Sequence, residues 1–240
     1  EGNIKSDFIK FLQEWANKKI NYELKSLTDL KNINTKNTSI RALAYQLYEN
    51  NGVIKREDVK DFLKKLAQEE RKILRGMGVK FGRYHIFLFK LFKPSAVSLR
   101  IALWKNFHQK YFDLKPPTFG LNFLIEKKEY SKEFMLLCGF EKFDNIYVRI
   151  DILERLFLKI MNLTNENEKE IKLVPDMLNL LGCSKDNFLK LIKKMNYSSY
   201  KKNDETYFKY APVKNNKRQF SSKMLKKENP FNILKNINFK

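Results

Sequence analysis

Gly76-Met-Gly-Val-Lys-Phe-Gly-Arg-Tyr-His-Ile-Phe-Leu-Phe-Lys-Leu-Phe-Lys-Pro94 separates two helical patterns. It carries three of the chain's eight glycines, then an apolar and aromatic run, then a Lys-Pro pair that starts a new helix. Before and after it, apolar residues recur with a helical period of about 3.6. Inside it the period falls towards two. Val79, Phe81, Tyr84, Ile86 and Leu88 broadly alternate against Lys80, Arg83, His85 and Phe87. The register slips at Gly82, where a bulge or a close backbone approach is expected. The stretch reads as a buried strand or extended hinge pinned between helices, with Lys80, Arg83 and His85 on its exposed side.

Towards the N-terminus, Ile4, Phe8, Phe11, Leu12, Trp15, Ile20 and Leu24 fall at helical spacing and predict an amphipathic helix over 4–24. Lys31-Asn-Ile-Asn-Thr-Lys-Asn37 reads as a loop. Thr38 or Ser39 caps a second helix with Leu43, Leu47 and Tyr48 on its apolar side, ended by Asn51-Gly52. Val53-Ile54 is a short connector. Lys55-Arg-Glu-Asp58 opens a third helix, and Gln68-Glu-Glu70 a fourth that stops at Gly76 or Gly78.

Beyond the central stretch, Pro94 suits the first turn of a helix, where its missing N–H costs nothing. Val97, Ile101, Trp104 and Phe107 follow, with Arg100, Lys105 and Gln109 on the polar side. Pro116-Pro117 and Gly120 mark a linker, and a short helix surrounds Phe134 to Leu137. From residue 146 the organisation changes. Tyr147-Val-Arg-Ile150 reads as a strand, Asp151 caps a helix, and Pro175 starts another that ends at the tight turn Gly182-Cys183. Ser184 then caps a further helix, and aromatic strands flank Lys202-Asn-Asp-Glu205. Helix, short turn, helix and hairpin is the order of a helix-turn-helix with a wing. The expected fold class is mainly α with short β elements. A helical domain spans 1–113 with its central strand or hinge, and a linker with a short helix spans 114–145. A winged-helix-like domain covers 146–212, and a basic tail, read as mostly disordered, covers 213–240.

The 240 residues are enough for one large or two smaller domains, and the formal charge is +21. A field of that sign usually meets nucleic acid or an anionic membrane surface. The basic residues are 39 Lys and 9 Arg beside 24 Asn, a bias that also fits an AT-rich coding sequence. Cys138 and Cys183 are too few for a disulfide framework, and with only His85 and His108 no His/Cys zinc cluster is possible. A reducing, cytoplasmic setting fits best. No apolar run of about 18 residues exists, so no membrane partner is expected. The sequence opens on Glu1 rather than Met, which suggests a piece of a longer protein.

The helix after Ser184 is the best candidate for binding. Phe188, Leu189, Leu191, Ile192 and Met195 define its apolar side, while Lys190, Lys193 and Lys194 share the opposite face and Lys185 lies near its start. In a helix-turn-helix the second helix approaches nucleic acid, so these ammonium groups would meet phosphates. Lysine contacts a phosphate as a point charge, which suits backbone binding without strong sequence readout. In the hairpin, Tyr197, Tyr200, Tyr207, Phe208 and Tyr210 interleave with Lys201, Lys202 and Lys209, a mixture that can stack on single-stranded bases. Strand alternation predicts that half of these rings only cover the helices. The tail adds Lys214, Lys217, Arg218, Lys223, Lys226 and Lys227. Catalytic patterns are absent. Gly76-x-Gly78-x-x-x-Gly82 lacks the Gly-Lys-Ser/Thr ending of a phosphate loop and follows a helix where the fingerprint needs a strand.

The block from Leu74 to Leu88, followed by Leu91-Phe-Lys-Pro94 and Leu99-Arg-Ile-Ala-Leu-Trp104, resembles the C-terminal region of alphaproteobacterial superfamily-2 helicases. These are relatives of the mitochondrial degradosome RNA helicase. The resemblance continues at Arg41-Ala-Leu-Ala-Tyr-Gln-Leu47, at Arg149-Ile-Asp-Ile-Leu-Glu-Arg-Leu156, at Pro175-Asp-Met-Leu-Asn-Leu-Leu-Gly-Cys-Ser184 and at Pro230-Phe with Leu234. It implies an accessory, nucleic-acid-binding region that follows two motor domains in cis, with RNA preferred over DNA. The ATP and Mg sites belong to those motor domains, and no cofactor is expected in this chain. No catalytic residue carries over. Lys80, Arg83 and His85 are expected to touch substrate or the motor domains. The other readings are a freestanding nucleic-acid-binding regulator and a structural module that docks a protein partner.

Overall fold

The computed structural model describes residues 2–109, 112–126, 130–164 and 170–211. Helices predominate, with three small antiparallel sheets of three strands each. The basic tail expected over 213–240 lies outside the described residues.

The first part is helical. α1 (Gly2–Glu23) runs into α2 (Lys25–Lys31), and α3 (Thr38–Glu49) follows the polar loop. The cap of α3 is Asn37, one residue before the expected Thr38 or Ser39. Its side-chain oxygen accepts from the N–H groups of Ser39 at 2.9 Å and Ile40 at 3.0 Å. The Val53-Ile54 connector is the strand β1 (Val53–Lys55), after which come α4 (Lys60–Lys65) and α5 (Gln68–Gly76). The central stretch forms a hairpin of two strands, β2 (Val79–Phe81) and β3 (His85–Leu88), where one strand was expected. β3 is central in the order β1-β3-β2, and all four of its residues are buried. Leu43, Leu47, Leu74, Val79, Ile86, Leu88 and Leu91 form the core between this sheet and the helices.

α6 (Pro94–His108) starts at the expected proline, with Pro94 in its first turn. Segment 114–145, read as linker and short helix, contributes β4 (Phe123–Ile125), α7 (Lys132–Leu137) and β5 (Phe140–Phe143). β4 and β5 pair on either side of β6 (Ile146–Arg149), so the segment is tied into a sheet. Trp104, Phe134, Met135, Phe140 and Tyr147 pack together beneath it.

α8 (Ile150–Thr164) follows directly, then β7 (Ile171–Lys172), α9 (Pro175–Leu181), α10 (Lys185–Lys194), β8 (Tyr197–Lys202) and β9 (Glu205–Tyr210). Asp151 lies inside α8 and is held by Arg149 in two hydrogen bonds of 2.7 Å, rather than capping the helix. Gly182 ends α9 at φ 68°, a left-handed conformation that glycine adopts without steric cost. Ser184 accepts from the Asn187 N–H at 3.4 Å and begins α10, as expected. β9 lies between β7 and β8, with Asn203 and Asp204 both at positive φ in the two-residue turn. Leu156, Ile160, Met177, Phe188, Leu191, Ile192 and Phe208 form the core of this part. Among the described residues, no helix is long and apolar enough to cross a membrane.

Candidate nucleic-acid interface

On α10 the apolar and basic faces divide as the spacing requires. Phe188, Leu191 and Ile192 are fully buried, and Lys185, Lys190, Lys193 and Lys194 are exposed. The lysines differ in their surroundings. Lys194 forms an ion pair with Asp144, the residue between β5 and β6. Among the described residues, no acidic group pairs with Lys185, Lys190 or Lys193. An exposed pair such as Lys194–Asp144 contributes little to stability and competes weakly with a phosphate.

α10 leads through Asn196 into the β8–β9 hairpin, so the lysine face and the hairpin are neighbours along the chain. The register places Tyr200 opposite Tyr207, Ser198 opposite Lys209 and Lys202 opposite Glu205. Opposed residues share a face, and side chains alternate along a strand. Tyr200, Lys202, Glu205, Tyr207 and Lys209 therefore occupy one side, and Phe208 and Thr206 the other. Phe208 enters the core. The Tyr200 and Tyr207 rings lie 6.1 Å apart and nearly parallel, with Lys209 over the first at 5.7 Å and Lys202 over the second at 5.9 Å. Glu205 tempers this face: it pairs with Lys172 on β7 and accepts from the Tyr207 hydroxyl at 3.0 Å. Lys201, on the opposite side near the turn, is exposed and has no acidic partner among the described residues.

The residues of the central stretch separate. Lys80 and Arg83 are exposed, as expected. His85 is not: it is only 2% exposed, and its assignment to a binding surface is corrected. Strand alternation set it outward, but β3 is covered on both faces. The His85 Nε2 is 2.7 Å from Glu141 Oε2 on β5, and its Nδ1 is 3.4 Å from Glu154 Oε1 on α8. Lys55 Nζ, 3.3 Å from the other Glu141 oxygen, completes the cluster. Burial works against a charged imidazole, but the two carboxylates outweigh it and raise the His85 pKa. Burial likewise opposes charge on Glu141 and Glu154, yet contacts to His85 hold both carboxyls below their ordinary range.

Glu154 does more than face the histidine. Its carboxylate accepts from the backbone N–H groups of Arg83 at 2.5 Å, Tyr84 at 2.9 Å and His85 at 2.8 Å. The close approach expected at Gly82 is this carboxylate: a Cβ on Gly82 would meet its carbon at 2.3 Å. Arg56 donates to the Gly82 carbonyl at 2.8 Å from the other side. Sequence reasoning missed Glu141 and Glu154 as partners. The glycine signalled that something approaches, but nothing local identifies a carboxylate some seventy positions later.

Arg100, placed on the polar side of its helix, is also buried; it donates to the Asn51 carbonyl at 2.9 Å and the Leu91 carbonyl at 2.6 Å. Burial with only carbonyl acceptors brings its pKa down to about 10. Cys138 and Cys183 sit in partly or fully buried positions that push their thiols up to about 12 and about 11, so neither is an activated nucleophile. Among the described residues, no group of three or more His, Cys, Asp or Glu is placed to hold a metal ion. No family model, curated protein or solved structure matches the chain.

Proposed function

We propose that this chain is a nucleic-acid-binding module that holds single-stranded or partly duplex RNA or DNA, with RNA preferred, through its phosphates. The observation that carries this reading is the row of exposed lysines on α10. Lys190 and Lys193 lack acidic partners among the described residues, and the helix runs straight into a hairpin that adds Lys201 and Lys202. A chain of formal charge +21 keeps such groups in a positive field that favours polyanions. The order helix, strand, helix, helix, hairpin from α8 to β9, with β9 in the middle of its sheet, supports a winged-helix-like description of this part. In that architecture α10 is the helix offered to the ligand.

The sequence resemblance extends the proposal: the module is the accessory C-terminal region of an ATP-dependent superfamily-2 helicase, with ATP and Mg bound by motor domains elsewhere in the same protein. A second surface favours a protein contact. Ile4, Phe8, Phe11, Leu12 and Trp15 leave an exposed apolar stripe along α1. Trp15 borders a groove with Ala16, Ile20, Leu99 and Leu103. The occupant we assign to this stripe is the motor domains. An in-frame phosphate loop upstream of Glu1 in the coding sequence supports that assignment, and a start codon with no motor sequence before it overturns it.

The binding test is a salt series with single-stranded and duplex RNA and DNA, comparing the chain with a Lys190/Lys193/Lys201→Ala variant. Affinity is expected to fall with salt. Each lost contact should flatten the log–log slope by about 0.7 on single strands. Affinity independent of salt, or a variant that binds like the parent, overturns the phosphate interface.

A further inference from the structure

We infer that the tip of the β2–β3 hairpin is an arginine clamp, in which Arg56, Arg75 and Arg83 hold a backbone phosphate of a single strand. The clamp rests on the nucleic-acid reading above, which supplies its occupant. It gives that strand a second anchor, on other elements than the lysine face of α10 and of different chemistry.

The register brings the three side chains to one end of one sheet. Phe81 on β2 is opposite Ile86 on β3, and Ile86 is opposite Ile54 on β1, so these residues share a face. The Arg56 N–H donates to the Tyr84 carbonyl at 2.7 Å, which carries the pairing of β1 with β3 two residues beyond Ile54 and returns the Arg56 side chain to that same face. Its guanidinium reaches across the tip and donates to the Gly82 carbonyl at 2.8 Å. Arg75, in the last turn of α5, sets its guanidinium over the Phe81 ring, 5.6 Å from the centroid. Arg83 follows Gly82 in the tip itself, and its backbone N–H is fixed by Glu154 at 2.5 Å. Phe81, Gly82 and Arg83 are consecutive, so each of the three arginines is tied to a neighbouring residue of one short turn.

Two features set this cluster apart from an ordinary basic surface. First, the chain builds its charge from 39 Lys and only 9 Arg, yet three of the nine meet at this tip. A diffuse positive field needs no arginine, whereas a planar fork is what pairs with two phosphate oxygens at once. Secondly, the forks are unclaimed by acids. Among the described residues, no carboxylate pairs with Arg56, Arg75 or Arg83, while Arg149 is held by Asp151. Glu154 is engaged by three backbone N–H groups and by His85. Arg75 and Arg83 are exposed and Arg56 is half-buried. The Phe81 ring orients the Arg75 plane without consuming its N–H donors, and the Gly82 carbonyl takes only one donor of Arg56. Oriented guanidinium groups without counter-ions, in a chain of charge +21, match a phosphate of a polyanion.

The experiment measures binding of the full chain to a labelled single strand across a salt series. Arg83→Gln removes an exposed side chain that makes no hydrogen bond or ion pair among the described residues, so the fold should be kept. It should flatten the log–log slope by about 0.7, and Arg75→Gln with Arg83→Gln by about 1.4. Arg75→Lys with Arg83→Lys keeps both charges, so its slope should match the parent. Its affinity should still fall at least about threefold, because an ammonium lacks the planar fork. A double Lys variant that binds like the parent shows that charge alone acts there and overturns the clamp, as do Gln variants with an unchanged slope. If Lys190/Lys193/Lys201→Ala loses affinity while the Gln variants do not, the clamp falls and the lysine interface stands. If the Gln variants lose affinity while the lysine variant does not, the clamp stands and the lysine interface falls. A parent that binds no strand at any salt overturns both.

Discussion

Glu154 and His85 show how two residues can be worth more to this molecule than the cationic surface around them. His85 has a raised pKa, so its contribution to stability is complete below its ordinary value of 6.5 and is lost as pH rises through the folded value. Glu141 and Glu154 are lowered, so theirs is complete above the ordinary 4.5 and is lost as pH falls through the folded values. All three act together between those ordinary values, and the protein should be most stable there. Urea unfolding measured from pH 4 to 9 should show a decline on the alkaline side. His85→Gln should cost about 3 kcal/mol near pH 6 and remove that decline. Parallel curves for parent and variant would show that His85 carries no proton in the cluster. Gly82→Ala tests the same joint from its other side. The added Cβ meets the Glu154 carboxyl carbon at 2.3 Å, and the carboxylate cannot retreat without releasing three N–H groups. A loss of about 2 kcal/mol is expected in the same unfolding assay. An unchanged midpoint would mean that Glu154 moves aside freely.

Among the elements, the helices were the most legible because their signals are local. Pro94, Gly182 and Ser184 act within a turn of their own position, and the apolar positions of α10 predict its buried face directly. Asn37 was displaced by one residue from the expected cap because Thr38 and Ser39 are equally able hydroxyl caps by type. The structure adds a reason for Asn37. Its amide nitrogen donates to Glu70, which also accepts from the Ala67 N–H at 2.7 Å, so one cap links the starts of α3 and α5. Asn37→Ala should therefore cost about 1–2 kcal/mol, at the upper end for a cap, in thermal or urea unfolding. Asn37→Ser should recover the cap and not the link, and a Ser variant as weak as Ala would sink this account. The strands were harder to read. β4 and β5 have only three and four residues, and their identity depends on pairing with β6. β3 misled for a different reason: a strand covered on both faces has no outer side, so period two cannot say which residues are exposed. The basic face of the candidate site was legible from spacing, whereas the grip of Glu154 on the backbone at Arg83, Tyr84 and His85 needed the third dimension.

At the scale of the whole molecule, two large cores stand apart in sequence, one around Leu43, Leu74 and Leu88 and the other around Leu156, Phe188 and Phe208. Between them lies a third core, around Trp104, Phe134 and Tyr147, on α6, α7 and β6. Val53, Phe87 and Ile150 add a minor apolar cluster, and His85, Glu141 and Glu154 add an ionic joint. Glu154 is the hinge of this arrangement, since it belongs to α8 in the second core and grips the hairpin of the first. The lysine face of α10 belongs to the second core, and Glu154 ties that core to the hairpin that carries Lys80 and Arg83. The parent should therefore open as one cooperative unit. Hydrogen exchange should give matching opening free energies for the central amides of α3, at Leu43 to Leu47, and of α10, at Leu191 and Ile192. Glu154→Ala removes the grip and leaves the three N–H groups and His85 without their carboxylate, while neither large core loses an apolar side chain. The two opening free energies should then separate, one core exchanging by its own opening before the other. If they stay matched in the variant, the apolar contacts alone hold the halves together, and the carboxylate serves only the local shape of the hairpin.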